Sequence, residues 1–361
     1  MSNYFNTEKI RKESEAVLVE QGLTAENAAL LVDTMLEADM AGIPTHGIRM
    51  LPAYIEKIGN GFFSLEKPEI LKSTASFAVV DARGSIGALS ADFCTNLAVE
   101  GAKRSGIYTV LSRNCNTFGA ASYFTNAMAE QGLIGVAFSN SPAAMPVANG
   151  AKPMLGTNPL AFSCPSKSRG SIMFDMATSV VAKSKFEMYR QDGKPLPDGW
   201  ALDTEGSPTN DPIAAIKGLV LPMAGFKGYN IAMMIDIISG ALSGAAYLDT
   251  VNKFYSGTNT PMNVGQTFIA IDPSVVYGDE FLNLMDQYIE RVRESKAADG
   301  KIVIVPGDRR RTEKMAAKEH GIRLTDDSVN KLVKILVSGN AAEIDFREQF
   351  GKNEVGSHEE D

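Results

Sequence analysis

The feature that most constrains this chain is an alternation of strand-like and helix-like segments that begins near residue 77. Short runs rich in β-branched and aromatic residues stand at Phe77–Asp81, Ile107–Leu111 and Ile134–Phe138. The segments between them, Ser90–Ser105 and Phe118–Gln131, carry the apolar spacing of helices. Strands that alternate with helices in this way predict an α/β layer, in which a sheet packs against helices.

The regions that flank this layer are predicted to be helical. Thr7–Gly22 and the segment after Thr24 have apolar residues at helical spacing, and Thr24 and Thr325 are of the type that caps a helix. Gln191–Pro212 is dense in Asp, Gly and Pro and predicts an ordered loop or lid. Further strands are predicted at Leu160–Cys164, Ile172–Phe174, Thr267–Ile271 and Lys301–Val305. The predicted parts are a helical part (1–75 with 309–340), an α/β part (76–308) and an acidic, polar tail (341–361).

Composition and charge exclude several classes of function. The 361 residues carry a net charge of -8, which argues against nucleic-acid binding because that function needs a basic face. The three cysteines form no CxxC pattern, and no His or carboxylate cluster has ligand spacing, so neither a disulfide framework nor a metal site is expected. No secretory signal or membrane span is visible, and a cytoplasmic location is expected.

The most informative of the three histidines is His46. It stands between glycines at a predicted helix start, where Thr45 is expected to act as the cap, and Arg49 follows three residues later. Residues three apart share one face of a helix. A proton-transferring imidazole beside a guanidinium that can hold a carboxylate suits the chemistry of 2-hydroxy and 2-oxo acids. On this segment alone, a structural histidine in a turn is an equally good interpretation.

Generic cofactor motifs are absent from the sequence, but several turns have the character of ligand-facing loops. No GxGxxG, P-loop or GxSxG pattern occurs. Leu155–Pro159, with Asn158, offers amide and hydroxyl donors, and Asp175–Ser179 leads from a strand towards a helix, where backbone N–H groups can receive a phosphate. Pro222–Tyr229 places Lys227 between glycines. Each turn alone is more typical of ordinary loop structure than of a site.

Five short segments, taken in order, resemble the type-2 malate/L-lactate dehydrogenase family. They are Ala38–Gly47, Gly156–Pro159, Asp175–Ser179, Leu196–Trp200 and Gly225–Tyr229, and the similarity runs from about residue 5 to residue 340. Members of that family include malate, ureidoglycolate, sulfolactate and diketogulonate dehydrogenases or reductases, and cyclic ketimine reductases. The resemblance implies a non-Rossmann α/β fold with helical N-terminal and C-terminal segments, a homodimer, and NAD or NADP as the cofactor.

The resemblance also implies roles for individual residues. His46 would be the proton donor and acceptor, Thr45 would help to position it or the substrate, and Tyr54 would line the pocket. The helical part would then serve substrate binding and dimerisation, and the α/β part would bind the nicotinamide. Residues expected to contact the cofactor by resemblance are Ser141, Asp175, Met176, Ala177, Lys227, Pro306, Gly307 and Asp308. The loops described above add Asn158, Thr178, Ser179 and Gly228.

Two departures from the family pattern leave the substrate open. The carboxylate-binding arginine usually stands four residues after the histidine, where this chain has Met50, and here Arg49 stands one residue earlier. Thr117 occupies a position where the family often has a second histidine, and a threonine does not titrate near neutrality. The main expectation is reversible hydride transfer between NAD(P)H and a small 2-oxo acid, with His46, Arg49, Tyr54, Thr45 and Thr117 around the substrate.

Three questions stay open at this point. A reductase of cyclic imines such as piperideine- or pyrroline-2-carboxylate suits Thr117, because its substrate can arrive already protonated. A cofactor-binding homologue without turnover is a second alternative, suggested by Met50 and Thr117. Lys183 and Lys185 are candidates to pair with a 2′-phosphate, which leaves NAD against NADP undecided.

Overall fold

The computed structural model describes residues 4–255, 259–336, 346 and 349–351. The chain divides into two compact units. Unit 1 combines Met1–Leu65 with Val292–Asp361, and unit 2 is Glu66–Arg291. Most of the acidic tail predicted from residue 341 lies outside the described residues.

The helices are α1 (Thr7–Glu20), α2 (Ala25–Met40), α3 (Leu51–Gly59), α4 (Gly87–Ser105), α5 (Ala121–Glu130), α6 (Ser184–Gln191), α7 (Pro212–Lys217), α8 (Phe226–Ile235), α9 (Ser274–Tyr277), α10 (Glu280–Arg293), α11 (Asp308–His320) and α12 (Asp326–Leu336). The strands are β1 (Tyr4–Phe5), β2 (Glu69–Ser73), β3 (Phe77–Asp81), β4 (Ile107–Cys115), β5 (Ile134–Ser139), β6 (Leu160–Cys164), β7 (Ile172–Met176), β8 (Ala201–Leu202), β9 (Leu219–Val220), β10 (Val264–Ile271) and β11 (Ile322–Arg323). Single-turn 3-10 helices occupy Pro44–His46, Ile48–Met50 and Leu248–Thr250, and a π-helical segment occupies Asp236–Leu242.

Two helices of unit 1, α2 and α12, begin at a threonine that caps them with its side chain. The hydroxyl of Thr24 accepts the backbone N–H of Asn27 at 3.2 Å, and that of Thr325 accepts the N–H of Ser328 at 3.2 Å. Both caps were expected from the sequence and are confirmed. Each satisfies a helix-end donor that otherwise lacks a partner, which is worth about 1 kcal/mol.

Unit 1 also contains a small aromatic cluster around its first strand. β1 pairs with β11 in antiparallel fashion. Phe5 is fully buried against Phe346, which stacks on Phe350 with a 4.7 Å separation of ring centroids, and both of those rings are fully buried too. The backbone N–H of Asn6 donates to the carbonyl of Phe350 at 2.7 Å. Phe346 and Phe350, beyond position 341, are therefore part of the core of unit 1.

Unit 2 is built on a seven-stranded mixed sheet with the strand order β2-β3-β4-β10-β5-β6-β7. β3 and β4 are parallel, and the other neighbouring pairs are antiparallel. A Rossmann sheet is mostly parallel. The predicted non-Rossmann α/β class is therefore confirmed.

Helical layers cover both faces of the sheet at β10. Phe268 packs edge-on against Phe124 of α5, with ring centroids 6.2 Å apart. The hydroxyl of the adjacent Thr267 bonds to that of Ser239 in the π-helical segment at 2.8 Å. Successive side chains of a strand point to opposite faces, so α5 and the π-helical segment lie on different sides. At Gly265 the π-helical segment comes so close that a Cβ would overlap the carbonyl of Ser239, which explains the glycine.

The loop predicted at Gln191–Pro212 and the strand predicted at Lys301–Val305 have different outcomes. Residues 192–211 are ordered and include β8, which pairs with β9, while Leu196 and Ala201 are buried among apolar neighbours. The strand predicted at Lys301–Val305 is wrong: the segment has no strand partner, and Ile302 and Ile304 are 87% and 72% exposed. Within residues 4–255 and 259–336, no helix is both long and apolar enough to span a membrane.

Candidate active site

One edge of the seven-stranded sheet collects the ends of six strands. β3 and β4 are parallel, and their last residues lie at this edge. The register pairs Cys115 with Val264, Phe138 with Leu160, and Leu160 with Met176, which places the ends of β4, β5 and β7 and the starts of β6 and β10 side by side. The loops that leave these six strand ends therefore share one side of unit 2.

Most of the unit 2 residues predicted to bind substrate or cofactor lie at this edge, whereas Lys227 and Gly228 lie in α8. Thr117 follows β4, Ser141 follows β5, Asn158 precedes β6, and Asp175–Ser179 spans the end of β7. They are separated by up to 62 positions along the chain, yet the strand register gathers them. The sheet thus unites segments that the sequence shows only as separate turns.

Asn158 connects two of these loops to α8. It is fully buried, and its side-chain oxygen accepts the backbone N–H of Ser141 at 3.0 Å while its amide donates to the carbonyl of Ala232 at 2.8 Å. Its φ of 24° lies in a region that asparagine tolerates better than most residues. A Cβ at the neighbouring Gly156 would lie 2.2 Å from the carbonyl of Ser141, so only glycine fits.

The segment that follows β7 uses most of its polar groups for internal bonds. A carboxylate oxygen of Asp175 accepts the backbone N–H of Ser122 at 3.0 Å. The hydroxyl and backbone N–H of Thr178 both donate to the carbonyl of Thr157 at 2.9 Å, and the hydroxyl of Ser179 donates to the carbonyl of Val181. The side chain of Met176 is 40% exposed. The segment therefore offers a rigid backbone and one accessible apolar side chain to a ligand.

Lys227 stands in the first turn of α8, beside a cavity. The preceding Gly225 has a φ of 63° and makes no side-chain cap, and Lys227 is exposed. Gly228 is required because a Cβ there would lie 2.4 Å from the carbonyl of Met223. A cavity of about 460 Å³ lies between the 146–151 loop and the 221–229 segment. An uncapped helix start with an exposed ammonium group suits a phosphate.

Lys183, one of the two lysines that could pair with a 2′-phosphate, already bonds to a protein group. Its ammonium donates to the carbonyl of Gly218 at 2.8 Å. Burial, and then the charge of Lys253, lower the pKa of Lys183. Lys185 is exposed. Of the two lysines, Lys185 is the one whose head group faces solvent.

His46 lies in unit 1, on two consecutive 3-10 turns that lead into α3. The N–H of His46 donates to the carbonyl of Ile43 at 3.1 Å, and that of Gly47 donates to the carbonyl of Pro44 at 3.2 Å. Both His46 and Thr45 are exposed. The expectation that Thr45 caps this helix is wrong: Ile43 precedes the turn, no side chain caps it there, and Thr45 lies inside it.

A carboxyl group of α2 lies directly under this turn. Oδ2 of Asp39 accepts the backbone N–H of Ile48 at 2.6 Å. A Cβ at Gly47 would lie 2.0 Å from Oδ1 of Asp39, so only glycine fits there. Desolvation by burial raises the pKa of Asp39 to about 7, although the hydrogen bond from Ile48 and the charge of Arg49 act in the opposite direction. Asp39 lies in one of the five family segments, but the sequence does not show this contact, which depends on the chain reversal at Gly42.

Arg49 and Tyr54 have partners of their own within unit 1. The guanidinium of Arg49 pairs with Asp327 of α12 at 3.1 Å, and its side chain is 33% exposed. Tyr54 is buried, and its ring stacks on that of Phe63 with centroids 5.8 Å apart. Arg49 therefore already pairs with a protein carboxylate. A substrate carboxylate would compete with Asp327 for its guanidinium.

Pro306–Asp308 also lies in unit 1, at the start of α11. Gly307 has a φ of 104°, which favours glycine. A carboxylate oxygen of Asp308 accepts the N–H of Val305 at 2.7 Å, and the group pairs with Arg311 and Arg293. Partial burial opposes ionisation, but these three contacts hold the pKa of Asp308 below its ordinary value. The carboxylate of Asp308 therefore organises this turn.

Two other kinds of chemistry find no support in the part of the chain that the structure describes. In those ranges, no three His, Cys, Asp or Glu side chains are grouped so that they could hold a metal ion. Cys94, Cys115 and Cys164 are buried, and burial raises the pKa of Cys115 to about 12 and that of Cys164 to about 11. The thiols are thus protonated and inert at neutral pH.

Comparison with known proteins identifies relatives along nearly the whole chain. The profile described as malate/L-lactate dehydrogenase matches residues 5–333. An L-sulfolactate dehydrogenase of Methanothermobacter thermautotrophicus is 34% identical over 337 residues, covering 91% of this chain and 96% of that protein. A ureidoglycolate dehydrogenase (NAD(+)) of Escherichia coli O157:H7 is 33% identical and covers 88% and 92%. A (2R)-3-sulfolactate dehydrogenase (NADP(+)) of Chromohalobacter salexigens is 29% identical and covers 86% and 91%.

Solved structures show the same relationship in three dimensions. The sulfolactate dehydrogenase of Methanocaldococcus jannaschii has a TM-score of 0.85 and 31% identity, covering 92% of this chain and 96% of that one. A delta1-piperideine-2-carboxylate reductase of Pseudomonas syringae has a TM-score of 0.80 and 26% identity, covering 92% and 100%. The family predicted from the five sequence segments is thus confirmed. The chain belongs to the malate/L-lactate dehydrogenase family of oxidoreductases.

Proposed function

We propose that the protein catalyses reversible, NAD(P)-dependent interconversion of a small 2-hydroxy acid and the corresponding 2-oxo acid, with His46 as the proton donor and acceptor. The observation that carries the proposal is the exposed imidazole on a turn that three backbone contacts hold in place. A histidine titrates near neutral pH, and a positioned proton donor contributes about 10²- to 10⁴-fold to such reactions.

The loops of the sheet edge in unit 2 fit a nicotinamide cofactor. Asn158 and Ser141 form a bonded pair that fixes two loops, and the residues from Asp175 to Ser179 present a rigid backbone with the exposed Met176. Lys227 at the uncapped start of α8 has the charge and position to hold a phosphate group. When bound, the cofactor supplies or accepts the hydride. These residues bind and orient it. Gly228 has no Cβ and so leaves room for the carbonyl of Met223 at the start of α8.

In this proposal, residues of unit 1 carry out the proton transfer. In the reducing direction, His46 donates its proton to the oxygen that becomes a hydroxyl, and in the oxidising direction it accepts that proton. Thr45 lies in the same turn and helps to orient the imidazole or the substrate, and Tyr54, a buried residue of α3, lines the pocket. Arg49 attracts the substrate carboxylate, in competition with Asp327. Pro306–Asp308 contributes further cofactor contacts.

The first experiment compares His46→Gln with His320→Gln. His320 ends α11 beside Glu319 and is 47% exposed in its side chain, which makes it a matched control. We expect His46→Gln to lower kcat by at least about 100-fold with little change in the Kd of NADH or NADPH. His320→Gln is expected to behave like wild type. Undiminished turnover in His46→Gln would rule out the assignment.

Reduction of cyclic imino acids is a second candidate function, favoured by Thr117. Thr117 is half-buried at the sheet edge, so this position supplies a hydroxyl and no titrating group. A protonated imine needs one proton fewer than a ketone, and the family's structural neighbour from Pseudomonas syringae carries the name of an imine reductase. Steady-state rates with piperideine-2-carboxylate, pyruvate, oxaloacetate and sulfopyruvate, each with both nicotinamides, distinguish the two functions. A homologue without turnover would bind cofactor and reduce none of them.

We also propose a cytoplasmic homodimer in which the helical part, 1–75 with 309–340, contributes to dimerisation. Exposed apolar side chains of the helical part, among them Val19, Leu65 and Met315, support an association of subunits. Light scattering coupled to size exclusion measures the mass of the particle, and a mass of about 39 kDa would exclude the dimer. Fractionation of native cells tests the location.

A further inference from the structure

The turn that carries His46 depends on a single side chain from a different element. Gly47 joins the two 3-10 turns: its N–H donates to the carbonyl of Pro44, and its carbonyl accepts the N–H of Met50 at 3.0 Å. The next N–H, that of Ile48, begins the second turn, and no side chain from the adjoining residues caps it. Its acceptor is Asp39, nine residues earlier. The Asp39 side chain thus fixes the backbone immediately after the imidazole.

Asp39 is itself held firmly in place. It lies in the last turn of α2, and its carbonyl accepts the N–H of Gly42 at 3.0 Å while the N–H of Ile43 donates to the carbonyl of Ala38 at 2.8 Å. Gly42 has a φ of 72°, so the chain reverses there and brings the 3-10 turns back over Asp39. The carboxyl is partly buried by this reversal. It therefore has little freedom to move away from Gly47 and Ile48.

The electrostatic setting favours this contact. A carboxylate at the start of a helical run interacts favourably with the N–H groups exposed there, and the run Ile48–Gly59 is helical throughout. The charge that acts on Asp39 is that of Arg49, which lowers its pKa against the larger effect of desolvation. Other charged groups also lie on the elements packed against α2. Arg11 pairs with Asp33, and Lys314 pairs with Glu37. Glu313 lies against Gly42, and Arg323 lies on β11.

We propose that Asp39 is a positioning residue for His46: its carboxyl group holds the backbone of Gly47 and Ile48 and thereby fixes the direction of the imidazole. This inference rests on the proposed function of His46, because a positioned imidazole matters only if it transfers a proton. Asp39 does not touch substrate or cofactor in this role. It acts on the backbone, through the N–H of Ile48 and through its close packing against Gly47.

The test compares Asp39→Ala and Asp39→Asn with Asp33→Asn. Asp33 lies on the same helix and pairs with Arg11 of α1, which makes it the matched control. Asp39→Ala removes the acceptor for Ile48, and we expect kcat to fall about 10- to 100-fold because small displacements of a reacting group have effects of that size. Asp39→Asn keeps an acceptor oxygen and is expected to restore kcat to within a few-fold of wild type.

A second readout does not depend on turnover. NMR titration of the His46 imidazole, assigned by its disappearance in His46→Gln, reports its titration midpoint directly. Loss of the acceptor in Asp39→Ala frees the turn and is expected to shift that midpoint by about 0.5 pH unit, whereas Asp39→Asn, which keeps an acceptor oxygen, should leave it unchanged. Asp33→Asn should leave it unchanged. The Kd of NADH, measured by fluorescence, should stay within about twofold of wild type in all three variants.

The outcomes separate the two proposals. If His46→Gln retains turnover, the proposed function fails, whatever Asp39 does. If His46→Gln is inactive but Asp39→Ala keeps the wild-type kcat and the wild-type His46 midpoint, only the role of Asp39 fails. Circular dichroism establishes the folded fraction of each variant. Should Asp39→Ala be unfolded, Asp39→Glu decides, because it keeps the carboxyl but displaces it by one methylene group. Wild-type kcat and a wild-type His46 midpoint in Asp39→Glu would exclude the positioning role.

Discussion

The carboxylate of Asp175, at the end of β7, accepts the backbone N–H of Ser122 at 3.0 Å, although the two residues are 53 positions apart. Ser122 is the second residue of α5, whose own N-terminal residue provides no side-chain cap. Asp175 thus acts as the N-terminal cap of α5 from across the sheet edge. A residue predicted to contact the cofactor also joins β7 to a helix.

Because Asp175 has both roles, Asp175→Ala should lower both the stability of the protein and its affinity for the cofactor. Removal of a cap costs about 1–2 kcal/mol, which urea unfolding measures, and displacement of the 175–179 segment should also weaken cofactor binding about tenfold. The control is Asp211→Ala, which removes the cap of α7, where Asp211 accepts the N–H groups of Ile213 and Ala214. It should show the loss of stability without the loss of affinity. Equal cofactor affinities in both variants would contradict the role of Asp175.

Substitution of Asn158 should affect two loops together. Asn158→Asp keeps the acceptor for the N–H of Ser141 but places a carboxylate oxygen against the carbonyl of Ala232. We expect a loss of about 3 kcal/mol or more in the free energy of unfolding, because a buried charge loses its hydration without gaining a partner. Asn158→Ala should cost less. Thermal unfolding of both variants checks this order, and the reverse order would contradict the amide orientation described above.

The raised pKa of Asp39 predicts a dependence of stability on pH. The pKa is about 7 in the folded chain and 3.8 as the ordinary value, so the folded state binds the extra proton between these limits. The stabilising contribution is complete below about pH 3.8 and is lost as the pH rises through 7. Relative to Asp39→Asn, wild type should lose about 2–3 kcal/mol between pH 5 and pH 8. Unfolding at the two pH values measures this difference, and parallel profiles would disprove it.

Competition for Arg49 gives a prediction about substrate affinity. The pair with Asp327 is partly exposed, so its own contribution to stability is at most about 1 kcal/mol. If Arg49 attracts the substrate carboxylate, Asp327→Asn frees the guanidinium and should lower KM several-fold, whereas Arg49→Gln should raise KM about 10- to 100-fold with a smaller effect on kcat. Lys331, which also pairs with Asp327, supplies the control Lys331→Gln. A KM unaffected by Arg49→Gln would exclude the residue from carboxylate binding.

The sequence predicted what depends on local pattern and missed what depends on register. The strands at Phe77–Asp81 and Ile134–Ser139 were found because alternating and β-branched runs are local signals. The run at Lys301–Val305 has the same composition but no partner strand, and composition alone cannot show that. The position of β10 between β4 and β5 is invisible in the sequence, because its partner residues lie 127–164 positions earlier.

In the candidate site, too, local pattern predicts the residues but not the long-range bonds between them. Its residues were named from turn composition and family resemblance, whereas the bonds that organise it join Asn158 to Ser141, Asp175 to Ser122 and Arg49 to Asp327. Thr45 was expected to be a cap because threonine often is, but the chain enters the turn at Ile43 and makes its bonds through backbone atoms. A local signal for the role of Asp39 does exist in the sequence, because this acidic residue stands five residues before the turn Pro44–His46, which glycines flank.

The central place of β10 has a consequence for the newly made chain. β4 and β5 each offer an unpaired backbone edge until Val264–Ile271 has left the ribosome, more than 120 residues after β5. Open strand edges invite pairing with other chains, and contacts so distant in sequence form slowly. Biosynthesis of unit 2 therefore ends with the insertion of its middle strand, and chains that stop before it should be taken up by chaperones or aggregate.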